Sequence, residues 1–241
     1  MREDKILITG VTSGVGQSLM MHLSKRMKVI ALARNIENLV NIENVQAYQI
    51  DLSNLEKVSE LLNQIIKEEG YIPYLINNAG VMPNVSMDAI DFERTNEAFV
   101  INAFSPTLIM QKLLPKMKEN NFGRIINLTS GAPLNCSENY GLYSASKAAL
   151  NAMTITTAKE NANSNIKINL MSPGPCKTKM APNGPLDPSV CHATVEYLLN
   201  LNIDGPTGKF FWLGHEIPLS PDLSWVNWGE GTVKGEGNKV L

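Results

Sequence analysis

The 241-residue chain has few of the residues that mark disulfide-rich or metal-binding proteins. Its three cysteines form no disulfide framework, and so sparse and odd a count fits a reducing compartment. We therefore expect a cytoplasmic protein. The three histidines, His22, His192 and His215, are scattered without ligand spacing, so we predict no metal site.

Charge and hydrophobic patterning exclude two further classes of protein. The formal net charge is −2 and no long basic run occurs, which argues against a nucleic-acid partner. No run approaches the roughly 20 apolar residues of a membrane span. Arg2, Glu3 and Asp4 stand where a signal peptide would begin, so we expect neither secretion nor membrane insertion.

Short apolar runs rich in β-branched residues alternate with helical patterns along the chain. This alternation predicts an α/β fold: one Rossmann domain over residues 1–241, with a doubly wound parallel sheet of about seven strands and helices on both faces. Long helices are expected at Asp91–Lys118 and Tyr143–Asn161, a loop at Pro173–Pro188 and an extended tail at residues 219–241. The predicted strands are Lys5–Thr9, Lys28–Ala33, Val45–Ile50, Tyr74–Asn77, Arg124–Thr129, Ile166–Met171 and Lys209–Leu213.

A glycine-rich turn follows the first predicted strand. The segment Thr9-Gly-Val-Thr-Ser-Gly-Val-Gly16 leads from that strand into an apolar helical pattern. A strand, a glycine turn and a helix in this order bring backbone amides and a helix N-terminus onto a pyrophosphate. Gly10 would allow the tight turn, Gly14 the approach of the phosphates, and Gly16 the packing of helix on strand. The alternative is a left-handed turn that binds no ligand.

Tyr143 and Lys147 define the candidate catalytic centre. Four residues apart on a helix, they would share one face. The ammonium is expected to lower the pKa of the phenol, which is ordinarily about 10. Ser130, thirteen residues before Tyr143, would donate a hydrogen bond to an oxygen on which negative charge grows. These groups can move a proton while a hydride moves elsewhere, although the Tyr–Lys spacing alone is also typical of an ordinary surface pair.

The corner after the second predicted strand bears on the choice of cofactor. Arg34 follows that strand, and no Asp or Glu stands there to accept a hydrogen bond from a ribose 2′-hydroxyl. A guanidinium matches the oxygens of a 2′-phosphate. We therefore predict NADP(H), with NAD(H) less favoured. The alternative is that Arg34 lies over the sheet edge or pairs with Glu37.

These motifs, in this order, resemble those of the short-chain dehydrogenase/reductase family, which combines T-G-x-x-x-G-x-G with a later Y-x-x-x-K. The resemblance extends roughly from Lys5 to Ile217. It implies an oxidoreductase that transfers a hydride between NADP(H) and a carbonyl or secondary alcohol of a small metabolite. Tyr143 would be the general acid or base and Lys147 would hold the nicotinamide ribose. Gly214-His-Glu216 replaces a D-G-G-like turn, which resembles the carbonyl-reductase-like branch.

The resemblance implies further site residues. Asn102 matches an Asn that kinks a helix and holds a water of the proton relay, although it could merely satisfy a bent backbone. Some NADP-using relatives have a second basic residue where this chain has Ser13, so a moderate preference is expected. The predicted cofactor-binding set is Gly10, Ser13, Gly14, Val15, Gly16, Arg34, Asp51, Leu52, Asn78, Ala79, Gly80, Tyr143, Lys147, Pro173, Gly174, Cys176 and Thr178.

The substrate side and the partners are less defined. We predict a rather open cleft, or one closed by other elements, because the few residues between Gly174 and Asp187 lack the pattern of a helical lid. The family resemblance implies a homodimer or homotetramer paired through the two long helices. The tail Pro218–Trp228 would either strap its own subunit or cover a cleft. Candidate lining residues, each equally explained by packing, are Leu134, Cys136, Tyr140 and Met180.

Functions other than catalysis remain open. A nucleotide-sensing or scaffold protein could keep the fold and the cofactor with little turnover. Such proteins usually lose the Tyr or the Lys, and this chain has Ser130, Tyr143 and Lys147. An epimerase or dehydratase is disfavoured by the short C-terminal part and by the glycine spacing. The sequence therefore favours an enzyme.

Overall fold

The apolar runs form the strands of one sheet, and the segments between them form helices. The computed structural model describes residues 4–219, 226–227 and 232–233. Its strands are β1 (Lys5–Thr9), β2 (Lys28–Ala33), β3 (Val45–Gln49), β4 (Tyr74–Asn77), β5 (Gly123–Leu128), β6 (Ile166–Ser172), β7 (Phe210–Trp212), β8 (His215–Ile217) and the separate antiparallel pair β9 (Val226–Asn227) and β10 (Thr232–Val233). Its helices are α1 (Gly14–Leu23), α2 (Leu55–Glu69), α3 (Phe92–Phe99), α4 (Ser105–Glu119), α5 (Ala132–Asn135), α6 (Gly141–Glu160) and α7 (Cys191–Leu199).

The sheet has the doubly wound topology that the alternation of strands and helices predicts. Its strand order is β3-β2-β1-β4-β5-β6-β7-β8, and every pair is parallel except β7 with β8. The direction of winding reverses at β1, which lies between β2 and β4. In such sheets ligands bind in the crevice beyond the carboxyl ends of the strands at this switch point.

Helices cover both faces of the sheet, so each parallel strand contributes to two cores. In β1, Ile6 and Ile8 belong to the core that includes residues of α1 and α7, whereas Leu7 belongs to the core that includes residues of α2 and α4. Strands buried on both faces need apolar side chains at successive positions. This requirement explains why the strands appear in the sequence as continuous apolar runs.

The long helix predicted at Asp91–Lys118 is interrupted. A π-helical segment, Val100–Phe104, separates α3 from α4, and the amide of Ser105 bonds to the carbonyl of Val100 five residues earlier. Pro106 has no amide hydrogen, so it cannot give the carbonyl of Asn102 its α-helical hydrogen bond. The missing donor explains why the helix widens at this point.

The predicted strand Lys209–Leu213 is shorter than expected, and a hairpin follows it. Leu213 and Gly214 form the turn, with φ angles of 46° and 77°. His215 and Glu216 belong to β8, so their prediction as part of a turn was wrong. The sheet therefore has eight strands, where the sequence predicted about seven.

Three further sequence predictions concern the tail, the membrane and metal binding. Leu219 packs against the small core around Leu150 and Phe210, whereas Trp225 and Trp228 lie outside the described residues. No helix among the described residues has both the length and the apolar composition that crossing a bilayer requires. In the same residues, no group of three or more His, Cys, Asp or Glu side chains could hold a metal ion.

Candidate active site

The glycine-rich turn between β1 and α1 is closely packed against the backbone around it. Gly10 and Gly14 have positive φ angles of 70° and 57°. A Cβ atom on Gly10 would lie 2.8 Å from the Cα of Ala79, and one on Gly16 would lie 2.2 Å from the carbonyl oxygen of Gly10. The side chain of Ser13 does not cap α1, so the first amides of this helix keep their capacity to bind an anion.

The turn after β4 holds the glycine turn in place. Asn78 donates hydrogen bonds from Nδ2 to the carbonyls of Thr9 (3.0 Å) and Gly10 (2.9 Å). The hydroxyl of Thr9 accepts from the amides of Asn78 and Ala79, both at 3.0 Å. Asn78 lines the cavity, as predicted for a cofactor-binding residue, but its amide group is used to fix the loop.

The three predicted catalytic side chains with hydroxyl or amino groups line a single cavity. Tyr143 and Lys147 lie one turn apart on α6, and Ser130 follows the end of β5. The Nζ atom of Lys147 donates to the carbonyl of Leu128 at 2.8 Å, which holds the buried ammonium against β5. The hydroxyl of Ser130 accepts from the amide of Ala132 at 3.1 Å and also hydrogen-bonds with the phenol of Tyr143.

The pKa of Tyr143 moves in the direction opposite to the sequence prediction. Burial raises this pKa above its ordinary value of 10.0, and the hydrogen bond with Ser130 offsets only part of the increase. The prediction of a lowered pKa was wrong because it considered only the charge of Lys147. Loss of hydration disfavours the phenolate in a buried site. The phenol is therefore protonated at neutral pH.

Burial also changes the titration of Lys147. Complete burial lowers the pKa of this ammonium from 10.5 to about 8. The carbonyl reduction that the sequence predicts would need a charged ammonium. For that reaction, kcat/KM for NADPH, which reports the free enzyme, should fall as the pH rises through about 8. Initial rates of NADPH oxidation between pH 6 and pH 10 test this expectation. A profile that stays flat to pH 10 would contradict it.

Asn102 lies behind the cavity, and its side chain is fully buried. Its Oδ1 accepts from the amide of Val81 at 2.9 Å, and its Nδ2 donates to the carbonyl of Val81 and to the hydroxyl of Ser146. A Cβ atom on Gly80 would lie 3.0 Å from this Oδ1 and 3.5 Å from the Nζ of Lys147. The Asn102 side chain thus fixes the Gly80–Val81 backbone beside the ammonium.

The opposite end of the cavity is formed after β2 and β3. Arg34 is exposed there, and within residues 4–219 it forms no ion pair with Glu37. Hydrogen bonds from Ser53 lower the pKa of Asp51, and the charge of Arg34 lowers it further. The guanidinium is therefore accessible at the corner where a ribose 2′-substituent is expected.

The segment after β6 closes the cavity over the glycine turn. A Cβ atom on Gly14 would lie 2.7 Å from the Cγ2 of Thr178. The thiol of Cys176 donates to the carbonyl of Pro173 at 3.1 Å, and burial raises its pKa. A buried thiol with a raised pKa is a poor nucleophile. Cys176 is therefore part of the cavity wall and not a reactive group.

These elements enclose a cavity of about 840 Å³ at the predicted crevice. Every predicted cofactor-binding residue lines it, as do Leu134, Tyr140 and Met180. Cys136 is not among its lining residues; it is exposed at the C-terminal end of α5 in a left-handed conformation. The glycine cradle at one end and the Ser130–Tyr143–Lys147 group at the other fit a nicotinamide dinucleotide.

Comparison with known proteins agrees with this arrangement. The sequence model of the family described as short chain dehydrogenase matches residues 4–187. The chain is a short-chain dehydrogenase/reductase. It is 31% identical over 193 residues to an L-xylulose reductase of Caenorhabditis elegans, an alignment that covers 77% of each chain.

Solved structures of the family share the fold. A 4-hydroxyisoleucine dehydrogenase complexed with NADH is 29% identical, with a TM-score of 0.78 over 87% of this chain and 96% of that one. A carbonyl reductase from chicken fatty liver with bound NADPH has a TM-score of 0.80 over 90% and 99% of the two chains. At 22% identity the second likeness shows the fold alone. Of these two structures, the 29%-identical one is thus a relative that binds a nicotinamide cofactor.

Several residues that line the cavity were not predicted from the sequence. Phe210, Trp212 and Ile217 reach it from β7 and β8, and Lys179 follows Thr178 beside the glycine turn. No motif marks these positions, because they belong to the sheet edge and to a loop. The alternation of Phe210 and Trp212 along one strand was the only signal that could have indicated them.

Proposed function

We propose that the protein is an NADP(H)-dependent oxidoreductase that reduces a carbonyl, or oxidises a secondary alcohol, of a small metabolite. The observation that supports this proposal is the position of Ser130, Tyr143 and Lys147 in one cavity with the glycine turn. A sensing protein would not need a buried phenol, a hydroxyl and an ammonium at the same place. Bound in this cavity, NADPH would supply the hydride.

Each of the three side chains has a defined task in this proposal. Tyr143, protonated because burial raises its pKa, gives its proton to the substrate oxygen. Ser130, which hydrogen-bonds with that phenol, orients the carbonyl and stabilises the negative charge that grows on its oxygen. Lys147 supplies a fixed positive charge and holds the nicotinamide ribose. Asn102 is proposed to position a water molecule that supplies protons to Lys147.

The preference for NADP(H) rests on Arg34. Hydrogen bonds to charged groups contribute about 1.5–3 kcal/mol each. We therefore expect Arg34→Gln to weaken the binding of NADPH about 10- to 150-fold. The binding of NADH should stay unchanged, because it lacks the 2′-phosphate. Dissociation constants from calorimetric titration of both cofactors test this, and an equal loss for both would contradict it.

The proposed reaction is tested by following NADPH oxidation across a panel of aldehydes, ketones, diketones and quinones, with NADH in parallel. Turnover that prefers NADPH would support the proposal. Tight binding of NADPH without turnover of any compound would favour the sensing role.

A homodimer or homotetramer is also proposed, formed by the α4 and α6 faces. The outer face of α6 presents Ala145, Ala148 and Ala152, and Phe104 is exposed at the start of α4. Small side chains allow two helices to approach closely. Light scattering coupled to size-exclusion chromatography tests this assembly, and a monomer at micromolar concentration would contradict it.

A further inference from the structure

The β7–β8 hairpin contributes an apolar wall to the cavity. Phe210 and Ile217 stand opposite each other on the two strands, and Trp212 lies two residues further along β7. Because alternate residues of a strand point to the same side, all three side chains share one face of the hairpin. All three also line the cavity.

Trp212 lies directly beside the turn that follows β6. Its Nε1 atom is 2.9 Å from the position of a Cβ atom on Gly174, whose φ angle is 73°. Any side chain at position 174 would therefore displace the indole. The glycine gives the large ring a place against the Pro173–Gly174 backbone, which belongs to the predicted cofactor-binding set.

The cavity walls near the β7–β8 hairpin are apolar too, and much of the surface of their side chains is exposed. The exposed fractions are 47% for Leu134, 44% for Met180 and 43% for Trp212. These three side chains come from α5, from the loop after β6 and from β7, and they meet around one cavity. Large apolar side chains that converge on a pocket usually meet an apolar ligand.

Carboxylates are rare around the cavity, and its lining lysines are Lys147 and Lys179. Among the described lining residues the only carboxylate is Asp51, which lies at the opposite end near Arg34. Asn135 and Ser137 are polar but exposed at the rim. A polyhydroxylated sugar needs many buried hydrogen-bonding partners, and the wall formed by Phe210, Trp212 and Ile217 offers little of this kind.

We infer that the β7–β8 hairpin is the substrate wall and that Trp212 selects carbonyl compounds with an aromatic or bulky apolar group beside the carbonyl. This inference rests on the proposed carbonyl reduction. It separates the substrate of this chain from a ketose such as the one named for the C. elegans relative.

The test compares 1-phenyl-1,2-propanedione, 2,3-butanedione and L-xylulose as substrates with NADPH. We expect the phenyl diketone to have the highest kcat/KM. Trp212→Ala should lower that value about tenfold or more, since the indole buries a large apolar area. The same change should leave the value for 2,3-butanedione and the affinity for NADPH unchanged. A preference for L-xylulose, or an equal loss for all substrates, would overturn the inference.

Two variants separate recognition from damage to the fold. Trp212→Phe keeps an aromatic ring and should retain most of the preference. Leu213→Ala changes an exposed neighbour in the hairpin turn that does not line the cavity, so its preference should match that of the unchanged protein.

A binding measurement distinguishes this inference from the proposed reaction. With NADP⁺ present, saturation-transfer NMR should detect 1-phenyl-1,2-propanedione on the unchanged protein and lose it in Trp212→Ala. Binding without any turnover would count against carbonyl reduction and support the apolar wall. Turnover without a preference for the phenyl diketone would contradict the selecting role of the hairpin and leave the proposed carbonyl reduction standing.

Discussion

Replacing Tyr143 by Phe is expected to lower kcat/KM for carbonyl reduction by about 10²- to 10⁴-fold. The phenol hydrogen-bonds with Ser130, and burial keeps its proton in place. The Phe variant removes that proton and keeps the aromatic ring. Stopped-flow measurement of NADPH oxidation under single-turnover conditions isolates this step.

The control for this variant is Tyr197→Phe, since Tyr197 is exposed on α7 and lies outside the cavity. Its rate should equal that of the unchanged protein, and the affinity of Tyr143→Phe for NADPH should be preserved. A Tyr143→Phe protein that keeps its full rate would show that another group supplies the proton.

Replacing Gly16 by Ala is expected to lower the free energy of unfolding by about 3 kcal/mol, at the upper end of the cost of overpacking. The added Cβ would lie 2.2 Å from both the Gly10 carbonyl oxygen and the Nδ2 of Asn78. Both atoms belong to the bonded unit that shapes the glycine turn, so the variant should also bind NADPH poorly. For a chain of this size the loss corresponds to a drop in Tm of about 6–12 °C.

Gly70→Ala is the matched control, because its Cβ would have no heavy atom within 4 Å. Its positive φ angle of 70° alone should cost about 1 kcal/mol and leave NADPH binding intact. Thermal unfolding with and without NADPH measures both effects. Equal stabilisation of Gly16→Ala and the unchanged protein by NADPH would contradict the role assigned to the turn.

The parallel strands were predicted well because each is buried on both faces. β1, β2 and β4 were located at the bounds that the structure gives, since a continuous apolar run leaves little freedom in their placement. The edge strand β8 was missed, because His215-Glu-Ile217 is short, mostly exposed and without alternation. Its pairing depends on β7 and on the turn at Leu213–Gly214, not on its own composition.

The interruption of the long helix predicted at Asp91–Lys118 had a signal in the sequence that the periodicity concealed. Apolar residues continue at helical spacing through Val100–Phe104, so the pattern indicates one helix. Pro106 marks the place where a hydrogen bond must be lost. The position of Asn102 against the Val81 backbone could not be predicted, because it depends on the distance between β4 and α4.

The candidate site was predicted where its chemistry is local to one segment. The glycine turn and the Tyr143–Lys147 pair each depend on a few neighbouring residues, so their spacing carries the information. Trp212 was missed because it meets the cavity only through the order of the strands in the sheet. The predicted direction of the shift in the Tyr143 pKa was wrong for a related reason, because burial is a property of the whole fold.

The most direct test of the central claim is hydride transfer itself. The protein would be incubated with NADPH that carries deuterium at both C4 positions of the nicotinamide and with the best carbonyl substrate, and the alcohol analysed by mass spectrometry. The proposed function predicts one deuterium at the carbinol carbon, in amounts that fall with Tyr143→Phe. An alcohol without deuterium, or tightly bound NADPH that reduces none of the panel, would contradict it.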